Sequence, residues 1–276
     1  MAYNDNRDNN YHNPNENYYD NSQQMNNYQH GQDNSQNYYG NGQMAFQDAP
    51  FARTDSFAQY LSRVFLLMFL GLAITTGVAV AIPYNMGMLI FSVELISSPG
   101  YIIFAISHVL IAVLLGVFVK KMNTAVAMVL FIIYSIMTGF LFSTLGLVFK
   151  TAAIWKAFLV ASIFFGAMAL YGVTTKRDLS NLKTILLIAL LALIVVSIIN
   201  IFLRSDGLDY LICLVGVVIF SAYTAYDVNK LKTGYYATRD GRMLSALAVN
   251  GAFQLYLDFI NLLIYLLRIF GRASRR

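Results

Sequence analysis

The stretch LYLDFINLLIYLL (residues 255–267) carries one carboxylate, Asp258, in a run that is otherwise Leu, Ile, Phe and Tyr apart from Asn261. In apolar surroundings such an acid relays a proton, meets a cation or pairs with another polar group. On a helix turning by about 100° per residue, Asn250, Gln254, Asp258, Asn261, Tyr265 and Arg268 fall within an arc of about 80°. Leu257, Phe259, Leu263 and Leu266 fall outside it. Lipid cannot satisfy such a stripe, so it must face protein or water. Amides alone would make a seam of interhelical hydrogen bonds. A carboxylate at the centre of the stripe points further, to a pathway, a relay or a switch.

The natural partner is Asp227, in FSAYTAYDVNKLK (220–232). It shares a helix face with Tyr223 and Thr224, and Lys230 lies three residues on as an alternative ion-pair partner. Two carboxyl groups brought together do not both ionise cheaply and titrate as one coupled pair. A proton shared between them would hold their helices together, and its loss would push them apart. The spacing sets a condition. With a turn over residues 234–241, the two acids differ in depth by about 15 Å, so pairing requires a tilted or extended last helix. Carboxylate and amide oxygens suit a hard cation such as calcium, so Asp227 and Asp258 are expected as weak, transient metal ligands. The chain has no paired-His zinc motif and no phosphate-binding Gly loop before a Lys. Neither an enzyme activity nor a cofactor is expected.

The elements that position these residues follow from composition. Of 276 residues, 58% are apolar and only 12% charged, against about 25% charged in a soluble domain. The charges cluster between long apolar runs, which is the pattern of an all-α, multi-pass membrane protein. Seven spans are expected: Val64–Ile82, Tyr101–Val119, Thr124–Phe149, Trp155–Val173, Ile185–Phe202, Tyr210–Val228 and Ala246–Phe270. Ser162 and Gly166, four apart, would allow close helix approach. Asp178 or Ser180 would cap the helix that follows them. The basic residues border apolar spans and suit topology signals and lipid headgroups rather than nucleic acid. With the N-terminus in the cytoplasm, 12 Lys and Arg lie inside and 7 outside, as expected of a cell-membrane protein. The first 44 residues contain 13 Asn, 6 Gln and 7 Tyr without apolar periodicity. Residues 1–52 therefore read as a disordered cytosolic tail and 53–276 as the membrane domain. The tail lacks the pattern of a cleaved secretory signal, and its His12 and His30 are too sparse for a metal site.

Three stretches, YGVTTKRDLSNL (171–182), AYTAYDVNKLK (222–232) and ALAVNGAFQLYLDFINLLIYLLRIFG (246–271), resemble the Bax inhibitor-1 family, in its bacterial YccA-like branch. The resemblance covers about residues 53–271. It implies a seven-transmembrane-helix bundle with the last helix central and six wrapped around it. It also implies a pH-sensitive calcium leak in which Asp227 and Asp258 are the proton sensor. The stripe of Asn250, Gln254 and Asn261, with Tyr223 and Thr224, would line or close the pathway. In the family's channel picture a basic residue of the second helix latches onto the aspartates. Here that span, YIIFAISHVLIAVLLGVFV, has no Lys or Arg. His108 is its one side chain titrating near neutral pH, and is a latch candidate.

The resemblance leaves a second reading, a non-transporting regulator docked on a membrane protease through residues 229–245 and the tail. An intramembrane aspartyl protease is a remote third, because Leu257 and Phe259 flank Asp258 where glycines are usual. Seven spans place the C-terminus outside, whereas six spans and a re-entrant last segment place it inside. A compartment-sensitive reporter fused after Arg276 distinguishes them, and seven spans require the external signal.

Overall fold

The computed structural model describes residues 56–118, 122–238 and 240–273. The expected tail, residues 1–52, lies outside them. The described chain is helical: α1 (Phe57–Tyr84), α2 (Met86–Ser97), α3 (Gly100–Phe118), α4 (Thr124–Val148), α5 (Thr151–Thr174), α6 (Leu182–Leu203), α7 (Asp206–Ala237) and α8 (Gly241–Ala273).

Local chemistry sets several boundaries. Ser56 and Gln59 form a reciprocal capping box at the start of α1, and Asn85 and Asn123 accept from the first turns of α2 and α4. Ser205 caps α7, whose first turn carries Asp206 and Asp209, favourable charges for a helix N-terminus. The expected cap on α6 is different. Asp178 Oδ1 accepts from the Ser180 N–H at 2.9 Å, and Asn181, the cap residue, makes no side-chain cap bond.

Six helices are long and apolar enough to cross a membrane: α1 and α4 through α8. The second expected span falls on α3. The sequence reading did not separate α2 from the preceding loop. Residues 86–95 and 100–116 meet at a 90° bend, and together they meet the same test of length and composition. The break falls at Ser98–Pro99, where proline disfavours helical conformation in the residue before it. The count is therefore six spans, or seven with the bent pair taken as one.

The last helix is central. From Leu244 to Gly271 no side chain of α8 is exposed, and it packs against α1, α3, α4, α5 and α7. Around it, α1 packs on α4 and α5 on α7, while α6 lies outside on α7. Lipid-facing leucines and isoleucines cover α6, where only Leu186 and Leu193 are buried. Such a helix needs no polar partner, whereas α8 with its stripe does.

The expected close approach at Ser162 and Gly166 does not occur among the described residues. Ser162 is exposed and bonds back to the Phe158 carbonyl, and a Cβ on Gly166 would meet nothing within 4 Å. The tight contact on α5 comes lower, at Gly172. A Cβ there would lie 2.5 Å from the Ala225 carbonyl oxygen and 2.9 Å from Val228 Cβ. Backbone cannot yield as a side chain can, so Gly172→Ala should cost roughly 1–3 kcal/mol. Gly166→Ala should be neutral or stabilising by up to about 1 kcal/mol through helix propensity. Unfolding of the two variants in detergent micelles reads the contrast.

Candidate functional site

The polar stripe of α8 faces α7. Gln254 Oε1 accepts from Lys230 Nζ at 3.2 Å. The Tyr265 ring stacks on Phe220 at 5.8 Å and fills the space a Cβ on Gly216 would need. Arg268 is paired with Asp209 near the start of α7. Gly251 lies under Leu231. These pairs fix an antiparallel register in which Gln254 is level with Asp227 and Asp258 with Tyr223. The two aspartates are thus about one turn apart, roughly 6 Å along the axis at about 1.5 Å per residue. The larger mismatch expected from sequence came from placing the turn at 234–241. The helices continue to Ala237 and restart at Gly241, which brings the acids closer in depth.

Both acids are buried, Asp227 7% and Asp258 4% exposed. Among the described residues no hydrogen bond joins their carboxyl groups. The short carboxyl–carboxylate bond envisaged from sequence is absent, and a lysine stands near both acids. Lys230 Nζ lies 3.7 Å from Asp227 Oδ1, and both Asp227 and Lys230 act electrostatically on Asp258. Lys230 therefore connects α7 to α8 by an ion pair on its own helix and a hydrogen bond across the seam. The Asp258 Oδ2 atom is enclosed and has no hydrogen-bond partner, and the same holds for Asn250 Oδ1 about two turns away on the same helix. An unpartnered polar oxygen inside a membrane bundle is costly. Its presence needs a reason beyond packing.

The remaining expected residues sort by geometry. Tyr223 is half-buried and interacts electrostatically with both aspartates. Thr224 is fully buried, but its hydroxyl donates to the Phe220 carbonyl of its own helix at 2.9 Å. Asn261 likewise donates to the Leu257 carbonyl at 2.8 Å. His108 sits on the other side of α8. Its Nε2 is 3.0 Å from Thr138 Oγ1, and its ring stacks on Tyr134 at 4.2 Å. Among the described residues no ion pair or hydrogen bond links it to Asp227 or Asp258. No group of three or more His, Cys, Asp or Glu side chains among the described residues is arranged to hold a metal ion. Asp227, Asp258 and Gln254 supply dispersed oxygens instead.

Sequence reasoning missed several contacts. Thr75 of α1 is 2.7 Å from the Tyr256 hydroxyl and donates to the Ser135 carbonyl at 3.0 Å, tying α1, α4 and α8 together. Lys232 donates to the Val173 and Thr175 carbonyls at 2.8 and 3.1 Å, capping the C-terminus of α5. Asn229 donates to the Gly172 carbonyl and accepts from the Leu179 N–H. The Lys232 cap had a sequence signal only in hindsight, a lysine beyond an apolar run. The Thr75 contact had none, since a lone Thr in a span reads as packing.

The family model described as "Inhibitor of apoptosis-promoting Bax1" matches residues 57–275. The chain is 36% identical to the inner membrane protein YbhL of Escherichia coli K12, over 80% of this chain and 97% of that protein. It is 36% identical to an uncharacterized membrane protein of Streptococcus pyogenes serotype M1, over 78% of this chain and 93% of that protein.

The two ends of the seam should differ in strength. Arg268 donates directly to Asp209 Oδ1, whose side chain is 14% exposed, and this pair should show a coupling of about 1.5–3 kcal/mol. Lys230, with its side chain 43% exposed, should couple to Asp227 by less than about 1 kcal/mol. Double-mutant cycles on unfolding in micelles measure both.

Proposed function

The chain belongs to the Bax inhibitor-1 family of multi-pass membrane proteins, and from that premise we propose that its α7–α8 seam is a pH-sensitive pathway for a passive cation leak, with calcium as the suited cation. The observation that carries this reading is the enclosed, unpartnered oxygen of Asp258 one turn from Asp227. Carboxylates that only held the bundle together would be matched by donors. Asp258 leaves an oxygen ligand free for an ion in transit, and Asp227 and Gln254 beside it share a single lysine. In this reading the chain catalyses no reaction. With seven spans, the bias of Lys and Arg favours a cytoplasmic N-terminus and, with it, a cytoplasmic α7–α8 turn.

Lys230 takes the place proposed for a basic latch. It holds ionised Asp227 and reaches Gln254 on the facing helix, while His108 is occupied by Thr138 and Tyr134. The sign of gating follows. Protonating Asp227 removes the attraction that fixes Lys230 across the seam, so the leak opens as pH falls. This is opposite to the sign expected of a shared carboxyl proton, because no such proton bond closes the seam here.

Reconstituted vesicles should pass calcium faster on acidification. Asp227→Asn should raise flux at alkaline pH by about fivefold, the ~1 kcal/mol upper range of a half-exposed ion pair, and flatten its pH dependence. Asp258→Asn should lower flux at every pH. Flux unchanged in both variants would sink the leak reading and favour a docked, non-transporting regulator.

A further inference from the structure

We propose that the cleft between the α5–α6 loop and α7 binds the phosphate of an anionic membrane lipid, with Lys230 as its charged anchor. The cleft measures about 230 Å³ and is lined by Ser180, Tyr226, Asn229, Lys230 and Thr233, with Gly234. Each liquid water occupies about 30 Å³, so a phosphate and the start of its ester chain fit.

Lys230 has donor capacity to spare. An ammonium offers three hydrogens. Among the described residues its acceptors are Gln254 at 3.2 Å and the more distant Asp227 at 3.7 Å. Lys232 presents the contrast, since its ammonium is committed to the Val173 and Thr175 carbonyls. The Tyr226 ring lies 5.8 Å from Lys230 Nζ, and its hydroxyl makes no hydrogen bond among the described residues.

Depth and charge favour a lipid. Helix α7 has 32 residues, about 48 Å of helix against roughly 30 Å of hydrocarbon. The apolar run of α7 ends at Val228, so Lys230 stands at headgroup level, where Tyr and Lys are at home. The loop beside the cleft carries Lys176 and Arg177, and Lys183 follows, all exposed. The loop's acid, Asp178, is fully exposed and turned onto Ser180, whose hydroxyl and backbone N–H hold its pKa below the usual carboxylate value. It stays ionised, but the cations of this face outnumber it and Asp227 together. Asn181 leaves the start of α6 without a side-chain cap, so the positive end of that helix dipole adds to the field.

A lipid phosphate on Lys230 competes with Asp227 for the same ammonium. That consequence rests on the leak reading above, whereas the binding site does not. The full chain, purified in detergent without calcium, is titrated with phosphatidylglycerol and with phosphatidylcholine of the same acyl chains. Native mass spectrometry reads the retained lipid. Phosphatidylglycerol should be retained in preference, and Lys230→Gln should reduce its affinity by roughly fivefold, one lysine's share of attraction to an anionic surface. Lys230→Arg should keep the preference. Thr233→Leu, which fills the cleft without changing charge, should lose it even if Lys230→Gln folds poorly. Equal retention of the two lipids, or an undiminished preference in both Lys230→Gln and Thr233→Leu, overturns the proposal. Displacement of phosphatidylglycerol by millimolar inorganic phosphate overturns the assignment to a lipid in favour of a free anion. No flux is read, so failure of the leak reading leaves this result standing.

Discussion

A helix that carries Asn250, Gln254, Asp258, Tyr265 and Arg268 along one face cannot be left against lipid, and the bundle is organised by that constraint. The polar face of α8 lies on α7 and its apolar faces lie on α1, α3, α4 and α5. The apolar sides are closed by aromatic packing. Phe131 and Tyr134 of α4 meet Phe253 and Tyr256 edge-on, and Phe165 of α5 meets Phe259. Such contacts are strong in protein but weakly distinguished from lipid contacts. The stripe makes the choice of neighbour specific, because only α7 offers Lys230, Asp209 and the space at Gly216.

The family-like stretches 171–182, 222–232 and 246–271 meet in space. Asn229 and Lys232 join the first to the second through the carbonyls that end α5. Lys230 and Leu231 join the second to the third through Gln254 and Gly251. The polar residues of AYDVNKLK are therefore divided by helix face. Asp227 and Lys230 serve the α8 seam, while Asn229 and Lys232 serve the end of α5. Asn229 and Lys232 both find partners on the α5 side, and an unpartnered oxygen remains on the α8 side. That asymmetry separates scaffold from candidate pathway.

Much of this was legible in the sequence. The apolar runs marked the spans, and the arc from Asn250 to Arg268 marked α8 as the enclosed helix. The common face of Tyr223, Thr224 and Asp227 identified the other half of the site. Tertiary matters were not legible. The bend at Pro99 turns an unremarked apolar run into α2. The ends of the two helices, at Ala237 and Gly241, decide how deep Asp227 lies relative to Asp258. Thr224 and Asn261 share the right face, yet each bonds its own backbone, a local option that helical periodicity does not reveal. Lys230 was visible as the i+3 neighbour of Asp227, but its reach to Gln254 depends on the register of a second helix.

The short connection between Ala237 and Gly241 has a further consequence, for assembly. The contacts that satisfy the polar face of α8 come from the helix next to it in sequence, joined by only a few residues. The loop-closure cost of forming them is therefore small. A helix bearing Asp258 and Arg268 is a poor substrate for solitary transfer into lipid. Paired with α7, it enters as a hairpin whose Lys230, Gly216 and Asp209 already face the stripe. The helix with the enclosed polar stripe thus brings its neighbour in sequence with it, and the pair supplies the centre of the bundle as one hairpin.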